Sequence, residues 1–475
     1  MTAARVGYHL GVTSQGREVD QDALPLRGHL PDWLEGVLLR NGPGLFETGD
    51  YHCRHWFDGL AMLQSFTLRG GRVGFRNRHL ATRTLEQARH NGRIQGSGFA
   101  TDTHRSLLKR LRGLAHPVLT DNTNVNIALM AGQTVCLTET PVPTAFDPDT
   151  LETRGALPFT DTTELHLSTA HPMADSHGGD LYGFGIRFAL NSEYLLFRIP
   201  AGTRRRRIIA RLPVKTPAYM HSFALTRHHL ILSEFPLVVT PLDMLITGRP
   251  FIENFRWLPE LGTRFQVFDR QRGTHLATCV GEPCFAFHHI NAFEDQAGRL
   301  QVDLAAYPDA DVIRRLYLEP LRRGWTEPAC GEAWRFTLDV RRGTATRTVL
   351  GERGLELPRI HATRCSGRDY RYVYGTGNHV PGALMDELVK LDVGRGTHLT
   401  WSEADGYPGE PVFVPRPGAT EEDDGVLLSV ILDAAAGTSH LLILDARTLE
   451  ERARAILPIP LPFGFHGEFL PDHAG

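Results

Sequence analysis

Leu338-Asp339-Val340-Arg341-Arg342-Gly343 and Leu391-Asp392-Val393-Gly394-Arg395-Gly396 are two copies of one phrase. Each closes an apolar strand on Asp, turns through a short glycine-containing link and opens a second strand. Looser copies are Phe146-Asp147-Pro148-Asp149-Thr150, Phe268-Asp269-Arg270-Gln271-Arg272-Gly273 and Leu444-Asp445-Ala446-Arg447-Thr448. Asp suits the first turn position because its carboxylate accepts from backbone N–H groups two residues on. A similar count onward from each Asp reaches His171, His288, Glu356, Glu410 and His466 in turn, and His221 lies a similar distance beyond Pro200-Ala201-Gly202. Equivalent positions of a circular repeat face one axis. The spacing therefore predicts imidazoles around that axis with carboxylates beside them, which points to a metal site.

The segments between these turns read as strands. Gln133-Thr-Val-Cys-Leu-Thr138, Arg264-Phe-Gln-Val-Phe268, Tyr370-Arg-Tyr-Val-Tyr374 and His440-Leu-Leu-Ile-Leu444 are short, rich in β-branched or aromatic residues and bounded by Gly, Pro or Asp. Long helical periodicity is scarce. One further step back from His171 reaches the strand-like Asn122-Thr-Asn-Val-Asn126, a seventh slot. Repeated four-stranded sheets around an axis make a β-propeller. The expectation is an all-β chain, a single domain over residues 1–475, with seven blades and a loop and helix cap over the axial metal site. Residues 1 to about 115 fit the register poorly.

Composition sets the outer limits. The 475 residues carry a formal net charge of −3 and are 41% hydrophobic and 22% charged. No region is basic throughout, so no nucleic-acid partner is expected. No run is apolar enough for a transmembrane helix, and the first residues lack the apolar core of a signal peptide. The six cysteines are scattered without a C-x-x-C pair, which fits reduced, buried thiols in a cytoplasmic protein. Gly183-Phe-Gly185 and Gly375-Thr-Gly377 lack the rest of a nucleotide fingerprint, and no G-x-S-x-G elbow occurs.

Imidazole donors suit iron, copper, zinc or nickel. Four of them on an octahedral ion leave two positions open, enough for dioxygen beside a substrate. The carboxylates would then accept the free ring N–H of the ligands, which fixes tautomer and donor strength. Both points favour iron over a closed tetrahedral zinc. The chain has 23 histidines, most of which must serve ordinary surface or core roles, so the shared register is what singles out these four.

The local sequences around them resemble a known family. Ala170-His171-Pro172, Met220-His221-Ser222-Phe223, Phe287-His288-His289-Ile290-Asn291-Ala292-Phe293-Glu294-Asp295 and His466-Gly467-Glu468-Phe469 are similar to the four iron-histidine motifs of the carotenoid cleavage oxygenases. Arg40-Asn41-Gly42-Pro43-Gly44, His55-Trp56-Phe57-Asp58-Gly59, Thr120-Asp121-Asn122-Thr123-Asn124-Val125-Asn126 and Glu421-Glu422-Asp423-Asp424-Gly425-Val426 extend the match in order along the chain. The wording lies nearest the branch of beta-carotene oxygenases and the retinoid isomerase.

The resemblance implies a seven-bladed propeller with one Fe(2+) per chain held by His171, His221, His288 and His466. His288 rather than His289 is the ligand, since neighbouring strand residues face opposite ways. It implies outer carboxylates at Glu139, Glu356 and Glu410, and a threonine, Thr138, lining the open iron positions. Stilbene-cleaving relatives carry Lys where Thr138 stands, so Thr favours an apolar polyene. The implied reaction is dioxygen-dependent cleavage of a conjugated C=C bond of a carotenoid or apocarotenoid to aldehyde or ketone products. Retinoid-type isomerisation with ester cleavage and a non-enzymatic carotenoid-binding propeller are the alternatives. A membrane-borne substrate suggests reversible surface contact. The basic amphipathic stretch His104–Leu114 and the apolar run Phe235–Ile246 are candidates for flanking a tunnel mouth.

Overall fold

Each of the five aspartates caps a hairpin. Asp147 Oδ1 accepts from the backbone N–H groups of Asp149 and Thr150, and Asp269 Oδ1 from Gln271 and Arg272. Asp339, Asp392 and Asp445 do the same for the residues two and three further on. In each case the turn joins two antiparallel strands, as in Glu332–Asp339 with Thr344–Gly354 and Glu387–Asp392 with Thr397–Trp401. Asp295 caps a sixth such turn, between Phe285–Glu294 and Leu300–Tyr307, which the sequence pattern missed.

These hairpins belong to an all-β, propeller-like ring in a computed structural model that describes residues 7–92, 98–101, 120–175, 179–324, 330–379 and 384–472. The basic amphipathic stretch His104–Leu114 lies outside the described residues. Among the described residues, strand pairing yields six sheets of four to eight strands and two two-stranded ribbons, rather than seven separate sheets. The physical reason is one contact. The eight-stranded sheet consists of Ala224–Gly281 strands and Phe285–Gly354 strands that meet through a single parallel pair, Val280 with Thr344.

The two ends of the chain close the ring. Gly467–Pro471 pairs with Gly36–Leu45, and Leu26–Gly28 pairs with Glu451–Ile456. The first sheet thus takes a strand from the far end of the sequence. That, together with the helix Arg83–Asn91, explains why the repeat register fails in the first 115 residues. The helix starts on Thr82, whose hydroxyl accepts from Leu85 N–H, and stops at Gly92, whose φ of 58° an L side chain would resist.

Apolar layers fill the spaces between sheets. Leu38, Phe66, Val73, Leu428, Leu441 and Ile443 interleave where the first and last sheets meet. Each such fully buried side chain contributes about 1.5–3 kcal/mol relative to exposure. A separate aromatic-rich layer, including Phe57, Phe99, Tyr219, Phe285, Phe287 and Tyr307, packs with the short helices Asp311–Arg315 and Leu318–Arg323. Among the described residues no helix is long and apolar enough to cross a membrane. The Phe235–Ile246 run splits into a two-residue strand, Leu237–Val238, and a helix, Pro241–Ile246, as its two prolines require.

Candidate metal centre

Four segments far apart in sequence bring His171, His221, His288 and His466 together. One nitrogen of each lies within 4.8 Å of the others. His171 follows the short strand Leu167–Ser168, His221 precedes Ala224–Leu225, His288 lies inside Phe285–Glu294, and His466 directly precedes Gly467–Pro471. The Nε2 atoms of His171 and His221 are 2.9 Å apart, and those of His288 and His466 are 3.2 Å apart.

The expected carboxylates stand behind three of the rings. Glu139 Oε1 is 2.6 Å from His221 Nδ1, Glu356 Oε2 is 2.6 Å from His288 Nδ1, and Glu410 Oε1 is 2.8 Å from His466 Nδ1. Burial by itself would raise the Glu410 carboxyl, but Arg359, His466 and Arg40 bring it down to about 2. For Glu356 the same burial is outweighed by His288 and by hydrogen bonds, and it too falls below the ordinary value. Both are ionised and can only accept, so His288 and His466 carry their hydrogen on Nδ1.

Burial lowers His466 to about 4, against the pull of Glu410, so this ring is neutral near pH 7. Burial and the other three rings lower His171 well below its ordinary value. With each Nδ1 turned to a carboxylate, Nε2 of His288 and Nε2 of His466 face each other at 3.2 Å. Nitrogens this close share either a proton or a metal cation. The donor set therefore fits a divalent transition metal, with carboxylates fixing the tautomers from behind.

A bulge makes room for this arrangement. The register of Glu356–Arg359 against its neighbour shifts between those two residues, and Leu357 takes a φ of 49°. Leu357 N–H donates back to Glu356 Oε2 at 2.6 Å. Glu139 and Glu356 each take a phenol as a further donor, Tyr219 at 2.9 Å and Tyr307 at 3.0 Å. Burial, reinforced by the facing carboxylates, pushes both phenols well above their ordinary value, so they stay donors.

His289 turns away. Its ring nitrogens meet the hydroxyls of Ser222 and Ser233, each at 2.7 Å. Asn126, in the seventh slot, reaches toward the remaining ring: its Nδ2 lies 3.5 Å from His171 Nδ1 and donates to the Ala170 carbonyl. Thr138 is half-buried beside Glu139. Sequence reasoning missed Thr169, Tyr219, Tyr307, Arg40 and Arg359. A hydroxyl within two residues of a ligand, as in Thr169 and Ser222, was the available signal.

The sequence pattern of the Retinal pigment epithelial membrane protein family matches residues 12–471. The chain belongs to that family. It is 34% identical to the mitochondrial carotenoid-cleaving dioxygenase of Mustela putorius furo, over 94% of this chain and 93% of the relative. It is 33% identical to the carotenoid isomerooxygenase of Galleria mellonella, over 94% and 93%. Among solved structures it is similar to a variant of the Synechocystis apocarotenoid oxygenase, with a TM-score of 0.86, 29% identity and 98% of each chain covered. The cobalt-substituted form of that enzyme gives the same TM-score at 28% identity. An aromatic layer lies against the four-histidine cluster of this family member: Phe287 sits 5.8 Å from the His221 ring, and Phe57 is 5.5 Å from Phe287 and 5.2 Å from Phe99.

Proposed function

We propose that this enzyme is an Fe(II)-dependent dioxygenase that cleaves a conjugated C=C bond of a carotenoid or apocarotenoid to aldehyde or ketone products. The observation that carries the reading is the convergence of four imidazoles, three of them backed by carboxylates, beside an aromatic layer suited to a polyene. His171, His221, His288 and His466 would hold one iron per chain. Bound there, iron supplies the activation of dioxygen that oxidative cleavage requires.

The protein's own contribution is placement. Glu139, Glu356 and Glu410 hold three rings in the tautomer that turns Nε2 inward. Phe57, Phe99 and Phe287 offer ring faces and edges to a conjugated chain, exclude water and set which double bond reaches the centre. Thr138 would line the open side of the metal. Regioselectivity follows from how far the polyene can penetrate, since its double bonds are chemically alike.

The finer architecture belongs to this reading. Seven blades in one domain are supported by splitting the eight-stranded sheet at its single Val280–Thr344 pair, and by the closure of the ring with both chain ends. A reducing, cytoplasmic setting is supported by six free cysteines. Reversible membrane contact is supported by Leu242 and Ile246, exposed on the helix Pro241–Ile246. Vesicle flotation of a Leu242→Glu, Ile246→Glu variant tests that contact, and undiminished binding would exclude this helix from it.

The deciding experiment incubates iron-loaded protein with beta-carotene and several apocarotenals, with and without oxygen, and resolves products by mass. Paired carbonyl fragments that require oxygen establish the cleavage and locate the bond. Geometric isomers without cleavage of a C=C bond would instead favour the isomerase chemistry that also occurs in the family. Polyene binding with one iron per chain and no product would favour a binding role.

A further inference from the structure

The three carboxylates behind the histidines are not equivalent. Glu139 and Glu356 have neutral phenols as their further side-chain partners, whereas Glu410 has two guanidinium groups, Arg40 hydrogen-bonded at 2.7 Å and Arg359 at 3.5 Å. Arg40 Nη1 donates to Glu410 Oε2 at 2.7 Å, with both side chains almost wholly buried (2% and 1% exposed). The same guanidinium reaches two backbone carbonyls, Glu410 O at 3.3 Å and Phe465 O at 3.2 Å. Phe465 immediately precedes His466.

Arg40 also lies on the seam that closes the ring. It pairs in register with Gly467, the residue after His466. Gly467 N–H donates to Glu410 Oε2 at 2.9 Å, and Arg359 donates to the Gly467 carbonyl. His466 is the ligand carried by the last strand of the chain, so its position depends on how well that strand docks. One planar fork of donors holds the carboxylate behind His466, the backbone bearing that carboxylate and the carbonyl just before His466.

We propose that Arg40 is a positioning residue that seats His466 for metal binding by clamping Glu410 and Phe465 across the ring-closing seam. The inference rests on the metal-centre reading above. Its content is geometric, and geometry separates it from a charge effect. A lysine keeps the cation but is a point charge without a rigid fork, so it cannot span the same acceptors. A neutral methionine removes the cation altogether. An electrostatic role alone would leave Arg40→Lys like the parent and make Arg40→Met hold a cation more tightly.

The test measures release of Fe(II) to a chelator from loaded full-length protein, beside thermal melts of the metal-free forms. Arg40→Lys and Arg40→Met should both release iron about tenfold faster than the parent or more, the scale of loss typical for groups that orient metal ligands. Arg206→Met breaks a buried pair with Asp161 in another part of the ring, and serves as a control for general destabilisation. It should melt lower yet release iron at the parental rate.

If the Arg40 variants do not fold, Arg359→Met, at a half-buried position on the same seam, should speed release in the same direction. Parental release rates from folded Arg40→Lys, or slower release from Arg40→Met, would overturn the proposal. So would equal acceleration in Arg206→Met. A parent that takes up no Fe(II) would instead sink the metal-centre reading itself.

Discussion

The Thr169 hydroxyl donates to the backbone carbonyl of His221 at 3.0 Å, across 52 residues of sequence. The same oxygen accepts His171 N–H at 3.0 Å. One side chain thus welds two of the histidine-bearing segments, which belong to different sheets. Ser222 makes a similar link between the two halves of the eight-stranded sheet, donating to the Phe287 carbonyl at 2.7 Å, and His466 N–H reaches the Val125 carbonyl at 3.3 Å. The histidines are held by a hoop of hydrogen bonds to their own backbone or to that of the residue beside them.

Thr169→Val keeps the shape but removes both bonds. It leaves a buried carbonyl and N–H without their partner, at a cost of about 1–3 kcal/mol. Urea unfolding should show that loss, and titration with Fe(II) should show weaker binding as the two segments loosen. Unchanged affinity would mean that the hoop stabilises the sheets without organising the centre.

His288 and His289 are neighbours with opposite fates. His288→Ala should abolish iron loading. His289→Gln should lower the melting temperature by breaking the Ser222 and Ser233 contacts, yet retain one iron per chain. Metal analysis of the two purified variants checks this directly, and His221→Ala should behave as His288→Ala does.

Removing the phenol hydroxyls probes the carboxylates. Tyr307→Phe takes one donor from Glu356 and Tyr219→Phe one from Glu139. A hydrogen bond to a charged group is worth about 1.5–3 kcal/mol, so each variant should lose stability on that scale while the His–Glu contacts keep iron bound. Denaturation curves and metal content, measured together, separate the two effects.

His55 sets a pH dependence away from the centre. It is fully buried, its Nδ1 accepts from Phe57 N–H, and its Nε2 lies 2.9 Å from the Ile313 carbonyl. Burial lowers its pKa from 6.5 to about 3. The unfolded chain therefore takes up a proton below pH 6.5 that the folded chain refuses. Stability from this group is full above pH 6.5 and falls by up to about 1.4 kcal/mol per pH unit toward pH 3. Unfolding of His55→Gln should show a shallower acid slope than the parent between pH 6.5 and 4.

Much of the ring was legible because local chemistry writes it down. Asp339 and Asp392 cap their own turns through atoms two or three residues away, so the hairpins can be read from a few consecutive residues. The count from each turn to the next axis-facing position follows from strand length alone. That is why His171, His288, His466, Glu356 and Glu410 could be found together. The count of sheets could not be read in the same way, since Val280 and Thr344 meet by a contact between strands far apart in sequence.

The amino-acid sequence by itself determined the β architecture, the turn chemistry, the four histidines and the three glutamates that face them. The turns, the histidines, Glu356 and Glu410 depend on periodicities and short-range hydrogen bonds within each repeat, whereas Glu139 is carried only by the resemblance to the family's motifs. Only the tertiary structure decided which hydroxyls, phenols and guanidinium groups hold those residues in place. Thr169, Tyr307 and Arg40 act across 52, 49 and 370 residues respectively, and contacts of that range have no local signature. The first two join neighbouring segments of the ring, and the third exists because the last strand docks against an early one, which brings groups from opposite ends of the sequence into one buried site.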